Sequence, residues 1–412
     1  MRWRYFDERN SREAASHAEI LQKMDSWWNA FSARTHALEN LIHGREHWDL
    51  PEWMAQHLQV VEPNLMWEFG PALHGAGHRL VITPESNTHL RVMVQTLLER
   101  APKLPGWEFY PYRPPASLQW AIQTAKARSH RDLHNISFSV TVAQHNRIDL
   151  RYCSPATASP DDKEALNGAF VATETLLGEE ILDQWVGRIE VAPPPKRSGL
   201  ARFLGHSRKS EPLVQPLDRL KPVVDALITS IIEQRPDQPL YAIDSDSLSS
   251  PGKPIGAVFK CEPPIADDYP QWQDLFVASA ADQGLWLALH TSSPFYSARY
   301  SRHGEQFCYL KLDGSEALQK EEFPDRASIE MALDESLIPA RAGCVISGGT
   351  GRRYSYIDLA LADVDAAIPL IISRLRAGNI SNRTWLLFFD APFSHEWIGI
   401  YDNTPAPPGM VQ

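Results

Sequence analysis

The sequence predicts an α+β fold of tandem ferredoxin-like units, in which antiparallel sheets carry their helices on one face. Three observations predict it. Apolar residues follow helical spacing in segments such as 220–231 and 364–375. They alternate with polar residues in 136–143 and 147–153, which is typical of half-buried strands. These elements also recur in one order along the chain, which indicates internal duplication.

Three segments share the order αββαβ. Their predicted elements are 51–61, 65–69, 79–83, 88–100 and 107–112 in the first; 117–127, 136–143, 147–153, 162–177 and 185–191 in the second; and 327–337, 343–347, 354–361, 364–376 and 385–390 in the third. In another phase, 107–191 and 255–347 each have the order βαββαβ, which is that of a ferredoxin-like unit. The sequence leaves both phasings open.

A basic, proline-rich segment divides the chain. Residues 191–210 contain five Lys and Arg residues and no Asp or Glu, and three consecutive prolines favour an extended spacer. We therefore predict an N-terminal α+β domain of two units at 1–192, a linker at 193–214 and a C-terminal α+β domain at 215–412. The alternative is that the basic segment docks on phosphate, nucleic acid or lipid.

The composition is that of a soluble globular protein, with 412 residues of which 43% are hydrophobic and 22% charged. The net charge of −11 opposes binding to nucleic acid and to anionic membranes. The polar face of 136–153 presents serine, threonine, aspartate and arginine, whereas an RNA-binding sheet presents stacking aromatic residues. The sequence therefore predicts neither a nucleic-acid partner nor a membrane partner.

Features of the termini and cysteines predict a cytoplasmic protein. Residues 1–8 contain scattered charges and lack the apolar core of a signal peptide. The longest apolar runs are about five residues, whereas a membrane-spanning helix needs about 20. The four cysteines form no C-x-x-C pair, which favours reduced thiols.

The nearest approach to a phosphate-binding motif is formed by Gly348, Gly349, Gly351, Arg352 and Arg353. Successive glycines can expose backbone N–H groups to an anion, and the two arginines can neutralise it. The predicted ligand is a small anion or an acidic partner. The alternative is a glycine hairpin with an exposed basic rim.

No pattern in the chain predicts a cofactor or a metal. The glycine segment joins strand to strand and matches neither a Walker motif nor a dinucleotide fingerprint, both of which join strand to helix. Histidines at 36, 43 and 47 lack a carboxylate or cysteine that would complete a known metal signature. We therefore predict neither a cofactor nor a metal ion.

Two predicted strands contain the tripeptide Trp-Glu-Phe, at 67–69 and 107–109. If these strands are neighbours, Glu68 and Glu108 form a carboxylate pair suited to acid–base or glycosidic chemistry. The alternative is that each glutamate only occupies the hydrated face beside core aromatic residues. The tripeptide His-Glu-Trp at 395–397 is a weaker copy of this pattern.

Longer motifs are found in two regions. The first, 65–115, contains EFGP at 68–71 and RLVIT at 79–83; the second, 341–402, contains WLLFFD at 385–390 and EWIGIY at 396–401. These motifs resemble uncharacterised bacterial proteins grouped under domains of unknown function. The resemblance implies a bacterial cytosolic protein and supplies no activity, cofactor or catalytic residue.

Regular elements and many aromatic residues without a chemical motif favour a non-enzymatic module that binds a ligand or a protein. One alternative is a hydrolase with a scattered site, formed by Glu68 and Glu108 or by the 348–353 loop. The other is an immunity or regulatory partner whose acidic surface meets a basic target. The strand 385–389 is apolar on both faces, so we expect it in a sheet centre or against a second domain or subunit, as in a homodimer.

Overall fold

The computed structural model describes residues 2–130, 136–153, 162–192, 213–243, 257–291, 293–314 and 322–410. These residues form ten α-helices and fourteen strands in three sheets, which confirms the mixed α+β class. No helix among them is long and apolar enough to cross a membrane. Of the predicted linker at 193–214, residues 193–212 lie outside the described residues.

Two compact units make up the chain: Met1–Pro111 with Pro236–Gln412, and Tyr112–Arg235. They differ from a division at 193–214, because residues on both sides of that segment pack together. The strand Gln215–Pro216 pairs with residues 137–138, and Leu220 shares a core with Phe138. The predicted domains 1–192 and 215–412 therefore do not coincide with these units.

The N-terminal part of the first unit contains a three-stranded sheet and three helices. They are α1 (Ser11–Ile42), α2 (Leu50–His57), β1 (Met66–Pro71), β2 (His78–Thr83), α3 (Arg91–Glu99) and β3 (Trp107–Tyr110). Asn10 and Asp49 begin α1 and α2 by accepting N–H groups of the first turn. β1 is antiparallel to β2, and β2 is parallel to β3. Trp27 and Trp53 are buried in the core of this part.

The second unit is a four-stranded sheet with helices against one face. Its elements are α4 (Leu118–Ser129), β4 (Ser137–Val142), β5 (Ile148–Cys153), α5 (Lys163–Leu177), α6 (Glu179–Trp185), β6 (Val186–Ala192), β7 (Gln215–Pro216) and α7 (Leu220–Glu233). The strand order is β6-β5-β4-β7. Phe138 and Leu150 are buried in the core that the helices share, whereas Thr141 and Arg151 are exposed. The predicted alternation is thus confirmed for residues 148–152 of β5, whereas in β4 Ser139 is buried and Val142 is exposed.

The rest of the first unit is built on a seven-stranded antiparallel sheet. Its elements are β8 (Ala257–Lys260), β9 (Leu275–Ala280), α8 (Gln283–Leu289), β10 (Gln306–Asp313), α9 (Arg326–Leu337), β11 (Gly343–Gly351), β12 (Tyr354–Leu361), α10 (Val364–Ala377), β13 (Thr384–Phe388) and β14 (Trp397–Gly399). The strand order is β14-β13-β10-β12-β11-β9-β8. The apolar strand β13 is fully buried between β10 and β14, as expected for a sheet interior.

The first two sheets follow the αββαβ phasing, whereas the seven-stranded sheet also contains β8, β9 and β10, which precede the third set. Segment 107–191 does not form a βαββαβ unit, because β3 lies in a different sheet from β4, β5 and β6. In the first two sets, the third strand pairs in parallel with the second strand of the hairpin. In the third set, β10 lies between β12 and β13 instead.

Candidate functional site

Glu68 and Glu108 lie on one face of the three-stranded sheet but not on neighbouring strands. β2 separates them, and its Arg79 is in register with Glu108 and with Gly70. Arg79 also donates through Nη2 to Glu68 at 3.2 Å. Glu68 is in register with Val81, two residues beyond Arg79. Because neighbouring strands are about 4.8 Å apart and a strand rises about 3.3 Å per residue, the Cα atoms of the two glutamates are about 12 Å apart. An arginine therefore lies between the two predicted catalytic carboxylates.

The Glu108 carboxylate binds the segment that follows β1. It accepts the N–H groups of Leu73 at 2.7 Å and His74 at 2.9 Å, and the Tyr110 hydroxyl at 2.7 Å. The bonds from Leu73 and Tyr110 lower the pKa of Glu108, because they stabilise the charged form. A general acid needs a carboxyl group with a raised pKa, so these contacts favour a structural role.

Glu396, in the weaker copy of the tripeptide, also binds backbone donors. Its side chain is 2% exposed and accepts the N–H groups of Trp3, Arg4 and Tyr5 at 2.6, 3.1 and 3.0 Å. The glutamates of the tripeptides thus hold neighbouring segments or an arginine, which the pattern alone does not reveal.

The predicted glycine motif is the end of β11 rather than an exposed loop. Gly348, Gly349 and Gly351 are buried in this strand. A β-carbon at Gly351 would overlap the Asp274 carboxylate, and one at Gly348 would overlap the Glu330 side chain. Glycine leaves room for these side chains, which approach the strand closely. The chain itself therefore covers the glycines.

An anion does bind at this turn, and it is the carboxylate of Asp274. This buried group accepts the N–H groups of Arg353 at 2.8 Å and Tyr354 at 2.9 Å, and the hydroxyl of Tyr356. Arg353 in turn donates through Nε and Nη2 to Asp313 at 3.1 and 2.9 Å. Internal carboxylates thus occupy the positions predicted for an external anion.

Arg352 is exposed and lines an open cavity of about 820 Å³. The other lining residues are Cys261, Glu262, Pro263, Ile265 and Phe276. The Arg352 Nε and Nη2 atoms donate to the Pro263 carbonyl at 3.3 and 3.2 Å, and Nη1 has no partner among the described residues. Ile265 and Phe276 are 88% and 42% exposed. The cavity therefore combines apolar walls with the guanidinium group of Arg352 and the carboxylate of Glu262, which is also exposed.

This cavity adjoins the edge of the seven-stranded sheet. β8 is an outermost strand among the described residues, and Cys261, directly after it, donates its N–H to Phe276 at 2.9 Å. Backbone groups alternate in direction along an antiparallel strand. The N–H and C=O groups of Val258 and Lys260 therefore point away from β9. The Val258 side chain is 69% exposed.

A buried lysine, which no motif of the sequence reveals, lies in the middle of the same sheet. Lys311 on β10 is 0% exposed, and its Nζ atom donates to the Tyr269 carbonyl and lies 4.0 Å from the ring centroid of Tyr354. Burial lowers the pKa of Lys311 to about 7, against the opposing effect of Asp274 and Asp268. The available signal was a single lysine inside an apolar strand.

Ion pairs lie beside Lys311 and cover it. Arg383 donates to Asp268 and to Asp313, each at 2.9 Å, and the Tyr354 hydroxyl donates to Asp268 at 2.5 Å. A neutral amine acts as a base or nucleophile where a ligand can reach it. Here the amine is fully buried beside charged groups, so we assign Lys311 to the packing of the sheet and not to catalysis, although burying its charge costs stability.

Neither metal geometry nor similarity to known proteins adds a chemical assignment. In the part of the chain that the structure describes, no group of three His, Cys, Asp or Glu side chains could hold a metal ion. No family model matches the chain, and neither a curated protein nor a solved structure matches it. The resemblance to uncharacterised bacterial proteins stays a prediction, and the functional assignment depends on the contacts described above.

Proposed function

We propose that the protein is a non-enzymatic binding protein that holds an extended segment of a partner protein at β8. The observation that carries this proposal is the outer edge of β8 beside the open cavity at Arg352. Edge strands with outward backbone groups accept further strands. Exposed apolar side chains that lie close together mark interaction sites.

The chemistry of this edge favours an apolar segment that carries an acidic side chain. The outward N–H and C=O groups of Val258 and Lys260 would pair with the backbone of the incoming segment. Its alternate side chains would cover Val258, Ile265 and Phe276, which are exposed. Lys260 and Arg352, also exposed, would pair with its carboxylate.

The hydrolase alternative has weaker support. Glu108 accepts three hydrogen bonds, and Arg79 lies between it and Glu68. At 348–353, Asp274 occupies the position of the predicted anion. An immunity or regulatory partner would also be a binding protein, but Lys260 and Arg352, two cations against the one acid Glu262, favour an acidic ligand over a basic one.

Two further predictions from the sequence also stay proposals. One is the cytoplasmic location. The other is the tandem ferredoxin-like organisation, which the strand order β13-β10-β12-β11 supports for residues 306–388. Numbered along the chain, this order is 4-1-3-2, with α9 and α10 as the intervening helices of a βαββαβ unit.

The test is selection of displayed random peptides on the full-length chain. We expect enrichment of peptides with alternating apolar residues and at least one Asp or Glu. Affinity for the selected peptides, measured by fluorescence anisotropy, should fall about tenfold or more with Lys260→Pro, which removes an outward N–H and leaves the pairing with β9 intact. Arg352→Glu should weaken binding similarly, because it places like charges together.

Val60→Lys is the matched control, because Val60 is 50% exposed elsewhere in the first unit. It should leave the affinity unchanged. The proposal is wrong if no peptide is selected, or if the selected peptides bind the Lys260→Pro and Arg352→Glu variants as tightly as the wild type. A concentration-dependent dimer that Lys260→Pro abolishes, measured by analytical ultracentrifugation, would identify a second copy as the ligand instead.

A further inference from the structure

Residues 2–5 are held in a groove of the first unit by a buried carboxylate. Three consecutive N–H groups, those of Trp3, Arg4 and Tyr5, donate to Glu396 at 2.6, 3.1 and 3.0 Å. A buried carboxylate is costly unless hydrogen bonds satisfy it, and here one short segment supplies all three donors. The backbone of this segment is therefore shaped around Glu396 as around a bound anion.

The side chains of Arg2 and Trp3 occupy separate positions in the groove. The Arg2 guanidinium lies 3.6 Å from the ring centroid of Trp397, and its Nη1 donates to the Trp397 carbonyl at 3.1 Å. Its Nε and Nη2 atoms donate to the Glu13 carboxylate at 3.1 and 2.9 Å. The Trp3 Nε1 atom donates to the Thr96 hydroxyl at 2.9 Å. A cation over an aromatic face and a directed indole hydrogen bond both depend on the identity of the side chain.

Tyr5 occupies a third position, where only its ring is recognised. The ring stacks on Phe388 with centroids 5.0 Å apart and planes inclined by 5°. Its hydroxyl is buried and has no hydrogen-bond partner among the described residues. Burial correspondingly raises the pKa of Tyr5. Because an unsatisfied buried hydroxyl is unfavourable, phenylalanine should fit this position at least as well.

We infer that the groove formed by Glu396, Trp397 and Phe388 is a second peptide-binding site, which recognises segments of the pattern Arg-Trp-x-Tyr or Arg-Trp-x-Phe. In this chain residues 2–5 fill it as a tethered ligand. A short tether gives an effective concentration in about the millimolar range, so a partner segment enters only when residues 2–5 leave. The basic, aromatic ligand of this groove differs in chemistry from the acidic, apolar segment proposed for β8.

The test uses the full-length chain with Arg2→Ala, Trp3→Ala and Tyr5→Ala combined, which weakens the tethered ligand. The probe is a fluorescent peptide with the sequence of residues 2–8. We expect saturable binding to this triple variant and about tenfold or more weaker binding to the wild type, in which the groove is filled. A probe with Phe in place of Tyr5 should bind as tightly, and one with Ala in place of Trp3 about tenfold more weakly.

Adding Glu396→Gln to the triple variant keeps the shape of the groove and removes its charge, so binding of the probe should be lost. Equal binding with and without Glu396→Gln, or no binding to a folded triple variant, would overturn the inference. Hydrogen exchange on the single variant Glu396→Gln provides a second measurement. The amides of Trp3, Arg4 and Tyr5 should exchange about tenfold or more faster than in the wild type; unchanged exchange would contradict the site even if the triple variant does not fold.

Discussion

The two faces of the seven-stranded sheet are stabilised by different kinds of contact, although the same strands supply both. On β10, Cys308, Leu310 and Leu312 point to the face that α9 and α10 cover. Tyr309 and Lys311 point to the opposite face, which buries aromatic and charged groups together. The core on the helix-covered side is mostly apolar, although Ser355 and Thr384, which are in register with Leu312, are also buried there.

This difference indicates which face of the sheet tolerates amino-acid substitutions. Apolar burial is non-directional and accepts substitutions that conserve volume. On the opposite face, each buried polar group needs a particular partner. At Asp358, Ser347 donates to Oδ2 at 2.5 Å and the His290 Nε2 atom is 3.8 Å from the same oxygen, whereas Oδ1 has no hydrogen-bond partner among the described residues. Burial raises the pKa of this carboxyl group.

Asp274→Ala should have the largest effect, because it leaves the N–H groups of Arg353 and Tyr354 without their acceptor and removes one of the two acceptors of the Tyr356 hydroxyl, which also donates to the Gln271 carbonyl. We expect the free energy of unfolding to fall by about 3 to 5 kcal/mol, measured by urea denaturation. Leu359→Ala, on the helix-covered face, is the control and should cost about 2 to 5 kcal/mol through the cavity that it leaves.

The two faces can be compared more directly by combining Asp274→Ala and Leu359→Ala, each in turn, with Tyr356→Phe. The effects of Asp274→Ala and Tyr356→Phe should couple by about 0.5 to 3 kcal/mol, because the two side chains share a hydrogen bond. The side chains of Leu359 and Tyr356 point to opposite faces of the sheet. The effects of Leu359→Ala and Tyr356→Phe on the free energy of unfolding should therefore be additive. Additive effects in both pairs would contradict the distinction between the faces.

Lys311→Met should remove a pH dependence that the helix-covered face does not produce. The pKa of Lys311 is about 7 in the folded chain against 10.5 for an ordinary lysine. Between these values the unfolded chain binds more protons, so the contribution of Lys311 to the free energy of unfolding rises with pH by up to about 1.4 kcal/mol per unit. Below about pH 7 the full cost of burying the charge is present. We expect Lys311→Met to be more stable than the wild type at neutral pH.

Chemical denaturation at several pH values from about 6 to about 10 measures this effect. The advantage of Lys311→Met over the wild type should shrink as the pH rises. Lys311→Arg is the control, because a guanidinium stays charged over the whole range and should stay unfavourable. A difference between Lys311→Met and wild type that does not vary with pH would mean that the lysine has an ordinary pKa.

Ser347→Ala should have the smallest effect, because it removes one hydrogen bond to Asp358. We expect a loss of about 1 kcal/mol in the free energy of unfolding and a further rise in the pKa of Asp358. Ser336→Ala on α9 is the control: its hydroxyl donates to the Ala332 carbonyl within the helix, and its loss should cost less than about 0.5 kcal/mol. Equal losses of unfolding free energy in Ser347→Ala and Ser336→Ala would contradict the proposed difference between the two faces.

Periodicity predicts the elements of the fold well where every second or every third to fourth residue meets an apolar core. The predicted strand 354–361 matches β12, and the predicted helix 364–376 matches α10 to within one residue. The assignment of strands to sheets is less predictable, because pairing depends on residues far apart in sequence. The return of β7 to β4, on the other side of the basic segment, leaves no local signal.

The site was predictable only in part, for the same reason. The sequence identifies Arg352, and the structure leaves it exposed beside a cavity. It also identifies the glycines of β11, but Asp274, which explains them, lies far earlier in the chain. The outward direction of Val258 and Lys260 follows from pairing with β9, which no motif encodes.

Trp3 and Glu396 are in contact although they are 393 residues apart in the sequence. The order of synthesis therefore determines when this contact can form. The second unit, Tyr112–Arg235, is continuous, so all of its packing partners leave the ribosome together. The first unit is completed only when Glu396 has been made. At about 5 to 20 residues per second, that wait lasts about 20 to 80 s after Trp3 is made. During this time the Tyr5 ring lacks Phe388 and the N–H groups of residues 3–5 lack the Glu396 carboxylate, whereas the Trp3 side chain can already pack in the core that contains Trp27 and Leu97.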